Sequence, residues 1–189
     1  MARCDRLAER QELNEYNKEN LIMIIKEINN YCFLNYSFDI NIVTKLLNNY
    51  GVYFVIEDAI SSTKVRGAFK VLKNKPAIYL TRYYKRLDEI IFALYHELGH
   101  AKSDFNQAKS KVIIDGDEVQ EKRADDFALN AMISKKDYAV ILKNASNEIK
   151  LKQLSEEKQI PMCFIVSRLA KDGIINYTDS LYLNNIVMI

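Results

Sequence analysis

The chain has 189 residues, 49% of them hydrophobic and 28% charged, which is enough apolar sequence to bury one core. A formal net charge of +2 gives no field that would indicate a nucleic-acid or membrane partner. Cys4, Cys32 and Cys163 are odd in number and far apart, which disfavours a disulfide scaffold and favours a reducing compartment. Because no signal-like or membrane-length apolar segment is present, we expect a cytoplasmic protein.

Two amphipathic helices are predicted before the first strand. The first is indicated by apolar residues at helical spacing, namely Leu21, Ile24, Ile25, Ile28 and Cys32. The second begins after Asp39, which stands in N-cap position, and ends before Gly51. We expect residues 1–38 to form an N-terminal helical segment and residues 39–135 to form the core of the protein.

Three short β-rich runs follow, at residues 52–56, 65–72 and 77–80. The turn residues 73–76 separate the second run from the third. Because short connections favour antiparallel pairing, the expected fold is α+β with a short antiparallel three-stranded sheet.

The next helix carries both of the chain's histidines, in the motif His96-Glu97-Leu98-Gly99-His100. Chance would give this H-E-x-x-H pattern in roughly one chain in a thousand or fewer. Residues four apart lie on one face of an α-helix, so both imidazoles can bind one ion. Asp88 can cap or lead this helix, and an apolar stripe is predicted to face the core: Leu87, Ile90, Ile91, Leu94, Leu98 and Ala101.

A second carboxylate-bearing helix is predicted from about Glu118 to Met132. It follows residues 102–117, which are polar around a small apolar island and predict a loop or short strand. Glu121 and Asp125 fall on the inward face of the helix, beside Ala124 and Ala128. Buried carboxylates are costly unless a cation meets them, and zinc with its histidines would be that cation.

The predicted zinc ligands are His96, His100 and Glu121, because two histidines and one glutamate are a known ligand set of catalytic zinc. Asp125 would accept a hydrogen bond from a ligand imidazole and fix its orientation. Asp115, Asp117 and Glu118 are weaker candidates for the third ligand because they lie in the loop or at the helix start.

Glu97 is the predicted catalytic base, which takes a proton from the attacking water and passes it to the leaving amine. No histidine remains to stabilise the oxyanion, so a tyrosine is expected there. The candidates are Tyr83, Tyr84, Tyr95 and Tyr138, which the sequence does not rank.

Structural interpretations of the same residues stay open. The histidines could be an ordinary helix pair, and Asp125 a surface residue paired with Lys122 or Arg123. For Gly99, close packing of the helix is the favoured interpretation over a part in the chemistry. A purely structural zinc site is a further alternative. The inward carboxylates downstream favour the metal site over these alternatives.

Residues 136–189 are predicted to form a C-terminal helical appendage. Apolar residues at 138–142, 151–154 and 163–169 indicate three helices, the last after Pro161 and stopped by Gly173. Residues 150–169 therefore resemble two short helices around a turn, as in a helix-turn-helix. Direct binding of nucleic acid is not favoured by the charge.

Residues 49–173 resemble the ImmA/IrrE family of bacterial and phage metallopeptidases. The likeness is specific in the strand region at 49–52, 65–68 and 75–80, in the H-E-L-G-H form of the zinc helix, and at residues 121–128, which match an E-x-x-A-[ND]-x-F-A pattern. The chain departs from many relatives at Arg123, where they have a glutamate, and residues 1–38 show no helix-turn-helix domain.

The resemblance implies a minimal gluzincin-like, zincin-type fold, Zn²⁺ held by His96, His100 and Glu121, and catalysis by Glu97. It also implies an endopeptidase that cleaves a DNA-binding transcriptional repressor or antitoxin-like regulator, often the product of a neighbouring gene in a mobile element. The alternative is a non-proteolytic regulatory module of the same fold that acts through protein or DNA contacts.

Overall fold

A computed structural model describes residues 1–58, 66–114 and 116–189. These residues form an α+β fold of ten α-helices and one three-stranded sheet. The elements are α1 (Ala2–Ala8), α2 (Leu21–Asn35), α3 (Ile40–Asn49), β1 (Tyr53–Glu57), β2 (Gly67–Leu72), β3 (Lys75–Thr81), α4 (Leu87–Ser103), α5 (Phe105–Ala108), α6 (Glu118–Met132), α7 (Lys135–Leu142), α8 (Glu148–Lys158), α9 (Met162–Lys171) and α10 (Ser180–Leu183). None of the described helices is long and apolar enough to cross a membrane.

The helix ends follow local chemistry. The Asp39 side chain accepts hydrogen bonds from the backbone N–H groups of Asn41 and Ile42, which confirms the predicted cap of α3. Gly51 ends that helix region with a φ of 76°, a conformation that glycine adopts without strain. Asp88 lies in the first turn of α4 rather than at its cap, because Arg86 holds the N-cap position.

The sheet is mixed, so the prediction of an antiparallel meander was wrong. The strand order is β1-β3-β2, with β2 antiparallel and β1 parallel to β3. Lys73 and Asn74, with φ values of 48° and 62°, form a tight two-residue turn that fixes β2 beside β3. β1 therefore takes the other edge of β3, whose residues 76–80 are all buried, as a central strand requires. The predicted start of β2 at Val65 lies outside the described residues.

The apolar island in residues 102–117 joins the sheet at one point, where Ile113 forms an isolated antiparallel bridge with Phe69. The rest of this segment is more helical than predicted, because α4 continues to Ser103 and α5 follows it. The extension of α4 places Asp104 one turn after His100.

Helix α4 lies in the middle of the core, with most of its residues buried. The main apolar cluster includes residues from each of the three predicted segments, for example Ile28, Leu94 and Phe164. The division into three segments stays a prediction. Helix α9 is buried over most of its length, and Ser167 donates a hydrogen bond to Asp88 of α4 over 2.7 Å.

Candidate metal centre

The histidine helix and the carboxylate helix pack closely at Gly99. A Cβ atom at this position would lie 2.9 Å from Ala124 Cα of α6, which is too close for any other residue without movement of a backbone. Gly99 is therefore a close-packing residue, as one interpretation of the sequence suggested. This close approach brings the inward face of α6 to the histidine face of α4.

Three side chains from the two helices bring their donor atoms close together. His96 Nε2 lies 3.1 Å from His100 Nε2 and 3.2 Å from Glu121 Oε2. His100 Nε2 lies 3.5 Å from Glu121 Oε1. In a tetrahedral site with bonds of about 2.0 Å, neighbouring donors are roughly 3.3 Å apart, so these separations fit a single small cation.

The hydrogen bonds on the far side of each imidazole orient the donors. His96 Nδ1 lies 2.9 Å from Asp125 Oδ1, and His100 Nδ1 lies 2.8 Å from Asp104 Oδ2. Since a carboxylate only accepts, each Nδ1 carries the proton and each Nε2 presents a lone pair. Two facing lone pairs and a carboxylate oxygen need a positive charge between them, either a proton or a metal ion.

The pKa shifts of His96 and Asp125 agree with a hydrogen bond in which His96 Nδ1 donates to an ionised Asp125. Burial lowers the pKa of His96, but the hydrogen bond that the His96 ring donates to Asp125, together with the charges of Glu97 and Glu121, outweighs burial and holds this pKa above its usual value. The same hydrogen bond holds the pKa of Asp125 below its usual value. Asp125 is therefore an ionised acceptor at neutral pH.

Asp104 is a residue of the candidate site that the sequence analysis missed. It lies at the C-terminal end of α4 and is only 5% exposed to solvent. Besides His100, its carboxylate binds Arg123 Nη2 over 2.7 Å and Gln120 Nε2 over 3.2 Å. The signal in the sequence is the spacing of four between His100 and Asp104, which places both on one helix face.

Glu121 is held by the loop that precedes α6. The backbone N–H of Gly116 donates to Glu121 Oε1 over 2.6 Å, and a Cβ atom on Gly116 would lie 2.6 Å from the same oxygen. The competing ligand candidates lie differently. Asp117 caps α6 in a capping box and Glu118 is exposed, whereas Asp115 lies outside the described residues.

Glu97 is 5% exposed and points from α4 toward the start of β2. A Cβ atom on Gly67 would collide with Glu97 Oε1, so the strand leaves room for this carboxylate only because it has glycine there. Glu97 is thereby confined beside the histidine that it follows in sequence.

The four candidate tyrosines lie in different places. Tyr95 is fully buried and donates to Asn29 Oδ1 of α2 over 2.8 Å. Tyr138 donates to Asp172 over 2.6 Å, and the Tyr83 hydroxyl accepts from Arg66 over 3.2 Å. Burial raises the pKa of Tyr84 to about 12, with Arg66 acting against burial and the charge of Glu97 acting with it. The charge of Glu97 thus acts on the hydroxyl of Tyr84, one of the four candidates.

Within the described part of the chain, the group of side chains that could hold a metal ion is His96, His100 and Glu121, whose donor atoms all lie within 4.8 Å of one another. Two imidazole nitrogens and one carboxylate suit zinc and neighbouring transition metals better than calcium or magnesium, which prefer oxygen. No protein-family model matches the chain, and no curated protein matches it.

Proposed function

We propose that this chain is a zinc-dependent endopeptidase that cleaves a DNA-binding transcriptional repressor or an antitoxin-like regulator. The observation that carries the proposal is the convergence of His96, His100 and Glu121 beside the buried carboxylate of Glu97. A ligand set of this kind leaves a fourth position for water or substrate, as a catalytic site requires. The ImmA/IrrE resemblance supports the same assignment.

Zinc held by His96, His100 and Glu121 would polarise the scissile carbonyl and acidify the attacking water. Glu97 accepts the proton of that water on its carboxylate and then delivers it to the leaving amine nitrogen. Burial beside Gly67 keeps the Glu97 carboxylate in place during both transfers. The Tyr84 hydroxyl, whose pKa of about 12 keeps it protonated at neutral pH, is the donor that we propose for the carbonyl oxygen as negative charge develops there.

The remaining polar residues act by orienting the ligands. Asp104 and Asp125 accept from the Nδ1 atoms of His100 and His96, and this keeps both Nε2 atoms free to bind. The Gly116 N–H holds Glu121 in the same way. Such contacts reduce the motion of the donors and so favour one geometry of the centre.

The substrate class comes from the resemblance to regulatory peptidases. The competing idea of a binding module that contacts DNA depends on the helix pair α8 and α9. Helix α9 is buried from Met162 through Val166 and again at Leu169 and Ala170, which counts against its insertion into a DNA groove. The peptidase is therefore the function that we favour.

The test uses the purified full chain, zinc and the repressor encoded by the neighbouring gene. We expect discrete cleavage, and Glu97→Gln should lower its rate at least about a hundredfold while zinc remains bound. Glu118→Gln, an exposed carboxylate that precedes the site, is the matched control and should cleave at the wild-type rate. Cleavage that survives Glu97→Gln would refute the proposal, and cellular activity that persists in that variant would support the binding module instead.

A further inference from the structure

A cavity of about 330 Å³ lies between the N-terminal half of α4, the segment that precedes it, the C-terminal end of α6, and α9. We call it the α4–α9 cavity. Its apolar wall includes Phe92, Leu129, Met132 and Phe164. The volume is at the lower end of small-molecule pockets and is ample for one side chain.

The α4–α9 cavity adjoins the metal centre. The ring of Phe92 lies 6.3 Å from the ring of His96, centroid to centroid. Tyr84 lines the cavity, and its hydroxyl responds to the charge of Glu97. Arg66, also in the wall, directly precedes Gly67, which packs against the Glu97 carboxylate. The wall of the cavity therefore begins one helical turn before His96.

The charges that line the cavity are unequal, with four cations and two carboxylates. Two of the cations are already neutralised. Arg86 Nη2 lies 3.2 Å from Asp88 and 3.0 Å from Glu89, and Arg168 Nε lies 3.0 Å from Asp172. The other two are Arg66 and Lys171.

Arg66 and Lys171 rest on aromatic rings rather than on carboxylates. The Arg66 guanidinium lies 4.3 Å from the centroid of Tyr83, and Lys171 Nζ lies 4.4 Å from the centroid of Phe92. Neither forms a close ion pair with a carboxylate among the residues that the structure describes, although the charge of Lys171 contributes to lowering the pKa of Asp125 and of Asp172. A cation held on an aromatic face is oriented and partly dehydrated, so it can bind an incoming carboxylate with little further cost.

The two carboxylates of the wall are largely engaged with cations and hydroxyls of the protein. Asp88 is 4% exposed, and its Oδ2 accepts from Ser167 over 2.7 Å and from Arg86, whereas its buried Oδ1 has no hydrogen-bond partner among the described residues. Glu89 is paired with Arg86 as well. The net charge offered to a ligand is therefore positive.

We propose that the α4–α9 cavity binds an acidic side chain of the substrate next to the cleaved bond, with Arg66 and Lys171 binding its carboxylate. This inference rests on the peptidase function proposed above. It assigns a preference for glutamate or aspartate at one position beside the scissile bond.

Binding is measured first, without turnover, on the zinc-loaded Glu97→Gln protein by two-dimensional NMR. The probes are N-acetylglutamate amide, N-acetylglutamine amide and N-acetyllysine amide. We expect the glutamate probe to bind about tenfold more tightly than the glutamine probe, because a charge-assisted hydrogen bond replaces a neutral one. Its chemical shift changes should centre on Phe92 and Leu129. Equal binding of the three probes, tighter binding of the lysine probe, or changes elsewhere would overturn the inference.

Two double variants assign the preference to the cations. Arg66→Gln with Lys171→Gln should reduce the glutamate preference to within about twofold of the glutamine probe. Arg66→Lys with Lys171→Arg keeps both charges and should retain the preference. Arg168→Gln removes a cation that is already paired and should also retain it. Loss of the preference in Arg168→Gln alone would contradict the assignment to Arg66 and Lys171.

Cleavage of a random peptide mixture by the wild-type protein separates this inference from the proposed function. Enrichment of acidic residues at one position beside a Glu97-dependent cleavage site supports both. Glu97-dependent cleavage without acidic enrichment overturns the inference and leaves the peptidase intact. Absence of Glu97-dependent cleavage counts against the peptidase, and the NMR titration then decides on the cavity by itself.

Discussion

The two histidines of the candidate metal centre are held by carboxylates in contrasting surroundings. His100 and Asp104 lie one turn apart on α4, with side chains 2% and 4% exposed. His96 is held by Asp125 across the interface with α6, and these side chains are 17% and 45% exposed. We call the first pair the buried arm and the second the cross-helix arm.

The two arms differ in how the carboxylate is satisfied. Asp104 of the buried arm also binds Arg123 and Gln120, as a carboxylate removed from water must. Asp125 is half exposed, so water can replace a lost partner. Two histidine–carboxylate pairs with similar distances, 2.8 and 2.9 Å, therefore differ in how much free energy is lost when the carboxylate is removed.

Removal of the buried acceptor should have the largest effect. In Asp104→Ala, the His100 Nδ1–H and the Arg123 guanidinium both lose their partner. We expect zinc affinity to fall about a hundredfold and the free energy of unfolding to fall by about 2 kcal/mol. Competition with a chelator and denaturant unfolding measure the two quantities. Asp104→Asn, which keeps an acceptor without the charge, should lie between Asp104→Ala and the wild type; a zinc affinity as low as that of Asp104→Ala would show that charge alone matters.

Separation of the helices should affect the cross-helix arm selectively. In Gly99→Ala the added methyl group meets the Ala124 backbone, so α6 must move away with Glu121 and Asp125. Overpacking should cost about 2 kcal/mol, partly offset by the better helix propensity of alanine, and zinc affinity should fall about thirtyfold. The Nδ1–H resonance of His100 should persist, because Asp104 directly follows α4 and stays with it, although its contacts with Gln120 and Arg123 of α6 should weaken. Loss of that resonance would contradict the independence of the two arms.

Removal of the exposed acceptor should have a smaller effect. We expect Asp125→Ala to reduce zinc affinity about tenfold and to change the free energy of unfolding by less than about 0.5 kcal/mol. Asp126→Ala removes the neighbouring exposed carboxylate and is the matched control, with no expected change in zinc affinity. If Asp125→Ala reduced zinc affinity as strongly as Asp104→Ala does, burial would not be what distinguishes the two arms.

Local patterns predicted the helices but not the strand order. Capping by Asp39 and the span Glu118–Met132 follow from nearest neighbours in sequence, and both predictions are confirmed. The place of β1 depends on which edge of β3 is free after the hairpin at Lys73 and Asn74 has formed. That choice is made by packing over long sequence separation, although the continuous apolar run of β3 does indicate a central strand.

The same limit applies to the site. Helical spacing alone puts His96 and His100 on one face, and the inward side of α6 supplies Glu121 and Asp125. Asp104 was missed because residues after 101 were interpreted as a loop, whereas α4 continues to Ser103. The candidate tyrosines could not be ranked because each reaches its position through a different element of the fold.

The smallest expected effect concerns Arg123, which binds Asp104 of the buried arm from the solvent side. Arg123 is 51% exposed, so its ion pair with Asp104 is weakened by solvent, and Arg123→Gln should reduce zinc affinity only about threefold. Lys122→Gln is the control for loss of a neighbouring positive charge. In the Asp104→Ala background the Arg123 substitution should have no further effect, because the two residues act through one carboxylate. A thirtyfold loss of zinc affinity in Arg123→Gln alone would mean that the contribution of the buried arm depends on the ion pair rather than on burial beside His100.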